Sequence, residues 1–520
     1  MSTRTDVLIN GAGPSGLVLA LWLTQQGVRV HINDKSESTA TTSRALAVQA
    51  RVLELYRQLD LGDEVAKRAY PIREMNLWSQ GEKRAHFALG NIGQSLTPYP
   101  AVYIYPQDHH EKLLEERLNA MGVYVERNVE LLEFTQHDSH VTATFKHHPT
   151  DSTVTHEAAF IVGADGAHST VRHACEIDFE GGKYDHLFYV ADIEGSGPTL
   201  NGQGHVNLYP DFMLTFAYDR DHSARLVGAV NGNDLQKNMN DLTLFDVANP
   251  ETTHLKIDKV NWFTVYRIHH RVAKNFRKGR AFLIGDAGHI HSPAGGQGMN
   301  TGIGDAINLA WKLAAVIKGK TDYSSSLLDS YETERRGFAQ VLISSTDTAF
   351  KAISAEGYIA DTVRTWLVPY IAPLMVSFDF FKQNSFLGAS QLRISYRDTS
   401  VLSAGSPPQG STVKGGDRLP WAPVGDAEKG EKVVDNYDSL GDITWQVHVY
   451  GEAKKELANW CKAKGIPLHV FSWNKKYQDV GLGRDAAYLL RPDTYIAVVE
   501  PSGLPKPIQE YSDQIPLRLD

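Results

Sequence analysis

The most constraining feature of this sequence stands near its start. Val7-Leu8-Ile9 is a short apolar run, Gly11-Ala-Gly13-Pro14-Ser15-Gly16 follows it, and residues 17–26 form an apolar stretch of helical length closed by Gly27. Residues 28–32 then return to a strand pattern. Strand, glycine turn, helix and strand make a βαβ unit, and such a unit opens a doubly wound α/β sheet. Each glycine has its own task. Gly11 permits the turn, Gly13 lets a pyrophosphate approach the backbone, and Gly16 lets helix and strand pack closely. Pro14 and Ser15 open the helix, whose free N–H groups and positive end favour a phosphate. Asp34, with Lys35 beside it, ends the second strand, where a carboxylate can accept hydrogen bonds from ribose hydroxyls. The unit predicts a dinucleotide site. Alone it does not separate FAD from NAD, and a bare glycine turn with an unrelated surface aspartate is the competing explanation.

The rest of the chain must house more than this unit. At 520 residues it exceeds one ordinary domain. A 42% hydrophobic, 22% charged composition is that of a globular protein, and a net charge of -9 argues against a broad nucleic-acid surface. Two cysteines, Cys175 and Cys461, exclude a disulfide framework and fit a cytoplasmic setting. Residues 358–381 are the most apolar long region, but Asp361, Arg364, Pro369, Pro373 and Asp379 interrupt it. It is a poor membrane span and suits a buried or subunit-facing helix pair.

Strand-like texture runs from Phe179 to Ile268, in segments 186–193, 204–208, 214–218 and 262–268. It predicts a β-sheet substrate domain, 179–268, inserted into a nucleotide domain made of 1–178 and 269–400. Helices are expected near 45–69, 109–121, 303–316 and 327–348. Proline and glycine concentrate over 403–416, and a small α/β domain is expected over 410–520.

Two further segments narrow the chemistry. One is Val162-Gly-Ala-Asp165-Gly166-Ala-His-Ser169-Thr-Val171-Arg172. The other is Gly285-Asp286-Ala-Gly-His289-Ile-His291-Ser-Pro293-Ala-Gly295-Gly296-Gln297-Gly298-Met299-Asn300. With the first glycine loop, and in this order, they resemble the three fingerprints of the single-component flavin-dependent aromatic hydroxylases, the family of para-hydroxybenzoate and phenol hydroxylases. The resemblance spans residues 5 to about 400. Gly416-Asp417-Arg418 and Leu490-Arg491-Pro492-Asp493 extend it to the thioredoxin-like tail of the phenol-hydroxylase branch. Cys461 stands alone in that tail, so thiol–disulfide exchange is not expected.

The resemblance implies FAD as cofactor, NADPH or NADH as transient co-substrate, and O2. It implies hydroxylation of a phenolic or polyketide-like aromatic through a flavin C4a-hydroperoxide. Asp286 is expected at the ribityl chain, and the Gly296, Gly298, Met299 and Asn300 segment against the flavin ring, with the helix start favouring negative charge on it. Asp165 and Arg172 are expected to fix a turn shared by cofactor sites. Arg44 resembles the family arginine at the pyrophosphate, Gln107 the glutamine near the flavin, and Pro293 a proline beside the ring. Asn10, where an apolar residue is usual, and His110, where a glutamate is common, depart from the pattern.

Substrate-side candidates come from the strand texture and from the last motif. Tyr266 and Arg267 fall on opposite faces of one strand, and either could stabilise a phenolate. Tyr209 and Tyr218 come from the same sheet, and His289 and His291 lie nearer the flavin. Aromatic packing is the plain alternative for each tyrosine. The expected partners are a small aromatic substrate and, as an assembly, a homodimer. An FAD epoxidase, oxidase or dehydrogenase for a non-aromatic substrate has the same cofactor motifs. A non-catalytic binding protein on this fold is more remote, since Asp286 and the glycine loop are intact.

Overall fold

The structure, a computed structural model, describes residues 4–40, 45–88, 92–208, 212–217, 222–230, 241–248, 254–291, 296–322, 326–354, 379–397, 402–424, 434–515 and 517–519. The opening βαβ unit forms as its pattern demands. Arg4–Asn10 pairs in parallel with Val30–Asp34 on one side and with Ser152–Gly163 on the other. Ala281–Leu283 extends the parallel sheet beyond Ser152–Gly163, and Glu126–Arg127 extends it beyond Val30–Asp34. The strands Val129–Gln136 and Val141–His147 join it as an antiparallel hairpin.

Residues 17 to 23 of the helix Pro14–Gln25 are all buried. A helix apolar on every side needs cover on every side, and this one packs against the helices Gln107–Ala120 and Gly298–Ile317. Gly27, at φ +71°, turns the chain out of the helix in the left-handed conformation that glycine adopts without a Cβ penalty.

A second eight-stranded sheet is almost wholly antiparallel among the described residues. Its order is His289–Ile290, Lys256–Ala273, Phe179–Ser196, Ser223–Ala229, Met213–Ala217, Gly204–Asn207, Glu74–Ser79, Glu82–Ala88. The last two strands come from outside 179–268 and dock through a parallel pairing of Gly204–Asn207 on Glu74–Ser79.

The C-terminal sheet runs Ala404–Gly405, Ile496–Glu500, Ala487–Leu490, Gln446–Tyr450, Leu468–Phe471. With the helices Lys455–Lys464, Lys475–Asp479 and Lys506–Gln514, the strands from Gln446–Tyr450 onward thread βαβαββα. No helix among the described residues is long and apolar enough to cross a membrane.

Buried charge joins this tail to the cofactor half. Arg491 binds both Glu334 oxygens at 2.7 and 2.9 Å and also holds Asp493 at 2.6 Å. Lys312 and Asn308 of the Gly298–Ile317 helix reach the same Glu334 oxygen at 2.8 and 2.6 Å. Burial opposes the Glu334 charge, but Arg491 and Lys312 outweigh it and hold the carboxyl well below its ordinary range. On the other side Arg51 donates to Thr494 Oγ1 at 2.9 Å, and Arg418 reaches both oxygens of Glu54 at 3.1 Å.

Candidate active site

The three glycine-bearing segments meet at the C-terminal edge of the parallel sheet, where ligands of doubly wound folds bind. Gly11 has φ +108°, and a Cβ there would stand 2.4 Å from the Ala164 carbonyl oxygen. A Cβ at Gly16 would stand 2.0 Å from the Gly11 oxygen, and one at Gly302 would stand 2.3 Å from Ser15 Oγ and 2.9 Å from Gly285 Cα. These backbones touch, so side chains are excluded by contact. Gly13 differs: a Cβ there would meet nothing within 4 Å, and the helix behind it begins without a side-chain cap. The open space in front of uncapped N–H groups is a cradle for a pyrophosphate.

Asp34 is oriented for a sugar. Its Oδ2 accepts the Ala12 N–H at 2.7 Å and its Oδ1 the Ser36 N–H at 2.8 Å, while the side chain stays partly exposed. Lys35 is exposed. Asp286 is the exposed residue between buried Gly285 and Ala287 in a single 3-10 turn. That geometry turns its carboxylate out of the core at the end of Ala281–Leu283. The residues present therefore fit an extended flavin dinucleotide: a phosphate cradle, a sugar carboxylate and a second carboxylate further along.

What holds the Asp286 turn is a buried cluster. Asp305 lies 2.6 Å from His289 Nε2 and accepts from Arg335 Nε at 2.7 Å and the Gly285 N–H at 3.1 Å. Burial opposes the Asp305 charge, yet His289 and Arg335 together hold the carboxyl below its ordinary range. His289 is 1% exposed and stacks on Phe276. It positions the loop. His291 lies closer to the ring site, with Nε2 3.7 Å from where a Gly298 Cβ would be.

Asn300 is buried, and its side chain is spent on backbone. It accepts the Gln49 N–H at 2.8 Å and donates to Ala47 and Gly296 carbonyls at 2.8 and 2.9 Å. It shapes the Gly296–Gly298 bend, where Gly296 sits at φ +61° with its Cβ position 3.2 Å from Ala47 Cβ. The helix Gly298–Ile317 starts with no side-chain cap, and half-buried Met299 packs on the core. Gln107 donates to Glu111 at 2.8 Å and accepts the Ala45 N–H at 3.3 Å; Glu111 in turn accepts the Ala40 N–H at 3.0 Å. These contacts fix both flanks of the segment carrying Arg44. His110 is buried beside Tyr56, 3.0 Å from its hydroxyl, and burial pushes its imidazole down to about 3, so it is neutral.

Asp165 accepts the Thr170 N–H at 2.8 Å and the Asn10 side-chain amide at 2.8 Å. Burial pushes its carboxyl above the ordinary range. Asn33 donates to Asn10 at 2.8 Å, so an asparagine relay crosses from the Asp34 strand to the Asp165 turn. Sequence reasoning flagged Asn10 only as a departure; its signal was a polar residue closing an apolar strand. Arg172 donates to the Ala287 carbonyl at 2.9 Å and the Ala167 carbonyl at 2.8 Å, and stacks 4.0 Å over Phe179. It ties the second motif to the Asp286 turn and to the first strand of the substrate sheet.

One face of the second sheet carries aromatic residues. Tyr266 pairs with Phe188, Phe188 with Ala229, and Arg225, on the same face, with Phe216. Phe216, Met75 and Tyr70 pack against the buried cluster of Leu46, Ile72 and Ile104, as does Ala47, the neighbour of Gly296. The Phe216 and Met75 end of this face thus lies near the segment that Gly296 approaches. Arg267 is exposed on the opposite face beside Leu187, so the structure does not bring it together with Tyr266. Tyr209, Tyr218, Arg44, Pro293 and Gly295 lie outside the described residues, as do residues 358–378.

The fold and cradle define an FAD-binding oxidoreductase, and residues 4–346 match the family described as the FAD binding domain. The 6-methylpretetramide 4-monooxygenase of Streptomyces rimosus is 33% identical over 76% of this chain and 71% of its own length. A flavin-dependent monooxygenase of Mycobacteroides abscessus is 28% identical over 96% and 97%. Among solved structures, the OxyS anhydrotetracycline hydroxylase from Streptomyces rimosus superposes with a TM-score of 0.76 at 26% identity, over 99% of both chains. The chain belongs to the FAD-dependent aromatic monooxygenases of this family.

Proposed function

We propose that this enzyme consumes NAD(P)H and O2 to hydroxylate a polycyclic, phenol-bearing aromatic of polyketide type. One observation carries the reading: Phe188, Phe216 and Tyr266 share one face of an extended sheet, and the Phe216 end of that face packs on the same buried cluster as Ala47, beside Gly296 of the glycine loop. Such a surface suits a flat, extended ring system held by stacking and apolar contact. Relatives named for 6-methylpretetramide and anhydrotetracycline support the same substrate class.

FAD, when bound, accepts a hydride from the nicotinamide and activates oxygen for transfer. Gly11, Gly13 and Gly16 would admit its pyrophosphate, Asp34 its ribose and Asp286 its ribityl chain. The uncapped start of Gly298–Ile317 would favour negative charge on the ring. Tyr266 is the described polar group on the aromatic face best placed to hydrogen-bond a substrate phenol, and that face orients the ring and keeps water out.

Cys175 and Cys461 are buried free thiols, each pushed up to about 11 by burial. Inert, unpaired thiols support a cytoplasmic setting. The test is substrate-stimulated NADPH and NADH oxidation with a panel running from simple phenols to tetracyclic phenols, under 18O2. One labelled oxygen atom in a polycyclic product is the expected result. Turnover that yields only hydrogen peroxide with every phenol would overturn the reading.

A further inference from the structure

Away from the cradle, three strands bring two imidazoles and a carboxylate together. His31 on Val30–Asp34, Glu126 on Glu126–Arg127 and His156 on Ser152–Gly163 each offer one ligand atom, and these atoms all lie within 4.8 Å of one another. His31 Nε2 stands 3.5 Å from Glu126 Oε2. Zinc holds such ligands at roughly 2.0–2.2 Å, which sets the tetrahedral ligand-to-ligand edge at about 3.4 Å. His31 Nε2 is buried and makes no hydrogen bond among the described residues.

The surroundings suit a metal. The two rings stack with centroids 4.3 Å apart, and Phe145 closes the inner side at 5.9 Å from His31 and 5.6 Å from His156. Glu126 is 49% exposed, so the outer side is open to water. Two imidazoles and one carboxylate with an open position is a borderline-soft N/O set that favours Zn2+ over Mg2+ or Ca2+.

We propose that His31, His156 and Glu126 bind one Zn2+ ion, with water completing its shell. Binding turns the stacked rings until their nitrogens converge on the ion. The ion then staples the start of Ser152–Gly163, which carries the antiparallel hairpin, to the strand that ends in Asp34. A second stacked pair supplies the control. His137 and His140 have ring centroids 4.4 Å apart, but among the described residues no third ligating side chain joins them.

The FAD-loaded, chelator-washed protein is titrated with Zn2+ against a chromophoric zinc indicator. One ion per chain is expected. His156→Ala and Glu126→Ala should each weaken binding by about tenfold or more, while the double variant H137A/H140A leaves it unchanged. The thermal midpoint of the parent should rise with Zn2+ concentration, and that of His156→Ala should not. Glu126 is half exposed, so its variant keeps the fold, and retained flavin absorbance checks this. Unchanged affinity in either ligand variant, loss of binding in H137A/H140A, or no uptake at about 100 µM free Zn2+ would each overturn the proposal.

Discussion

The nucleotide cradle and the aromatic face of the second sheet are built of different material. The cradle is backbone. At Gly11, Gly16 and Gly302 a single added carbon would lie within 2.0–2.4 Å of a neighbour, and charge buried behind the cradle fixes it there. The sheet face is side chain: Phe188, Phe216, Tyr266 and Met75, any of which could be exchanged for another apolar residue without breaking the strand. Among the described residues its most buried ion pair is Arg225 with Asp192, at 2.7 Å twice. A cofactor shared by a whole family needs invariant geometry. A substrate surface needs freedom to vary, so rigidity belongs to the cradle and tolerance to the sheet.

The largest effect should fall behind the cradle. Glu334→Gln leaves Arg491 and Lys312 with an uncompensated buried charge, and the expected cost is about 3–5 kcal/mol. Asp192→Asn on the sheet should cost less, because Asp192 keeps 16% of its side chain exposed. Chemical denaturation of both variants checks the order; an equal loss would erase the contrast. The pH sign follows from the depressed Glu334 carboxyl. Its contribution is fully present above an unfolded glutamate's pKa of about 4.3 and is lost as pH falls toward the lower folded value. Parent stability should therefore fall more steeply than that of Glu334→Gln as pH drops below about 5.

Next comes the cofactor. Asp286 is exposed, so Asp286→Ala should leave apoprotein stability nearly unchanged while FAD affinity drops roughly a hundredfold, the worth of one or two charge-assisted hydrogen bonds. Retained flavin would remove Asp286 from the site. Gly13→Val sharpens the same point. With nothing within 4 Å of its Cβ position, the variant should fold and yet bind FAD about tenfold or more weakly, because the side chain occupies the pyrophosphate's space. Gly11→Val, at φ +108° against the Ala164 carbonyl, should lose both fold stability and flavin. Equilibrium dialysis with FAD, set beside thermal unfolding, separates the two kinds of loss.

The difference between the two regions also decides what the sequence could disclose. Gly11 and Gly16 were legible because only glycine meets the local demand for a positive-φ turn and a close backbone approach. Arg491 and Asp493 stood out in sequence only as part of the tail motif. Their partner Glu334 did not stand out, since it lies 157 residues from Arg491 and no local pattern encodes so distant a contact. His289 looked like a neighbour of the flavin because it stands beside Asp286 in sequence. Asp305, two turns into a mostly apolar helix, was the signal that it belongs to a buried cluster. The strands Glu74–Ser79 and Glu82–Ala88 escaped the substrate domain for the same reason: β-pairing is non-local, and nothing near residue 75 names Gly204–Asn207 as its partner.

The smallest effects should come from the sheet, where they are also the most informative. Tyr266→Phe keeps the ring that packs on Phe188 and removes only the hydroxyl. Flavin content and unfolding midpoint should be unchanged. If Tyr266 hydrogen-bonds the substrate phenol, product formed per NAD(P)H consumed should fall several-fold, the lost turnover appearing as hydrogen peroxide. Arg267→Ala, one residue on and exposed on the far face, should change coupling by less than about twofold. Alternation along one strand thus makes adjacent positions a test of which face the substrate meets. Uncoupling in Arg267→Ala but not in Tyr266→Phe would put the substrate on the other side of the sheet.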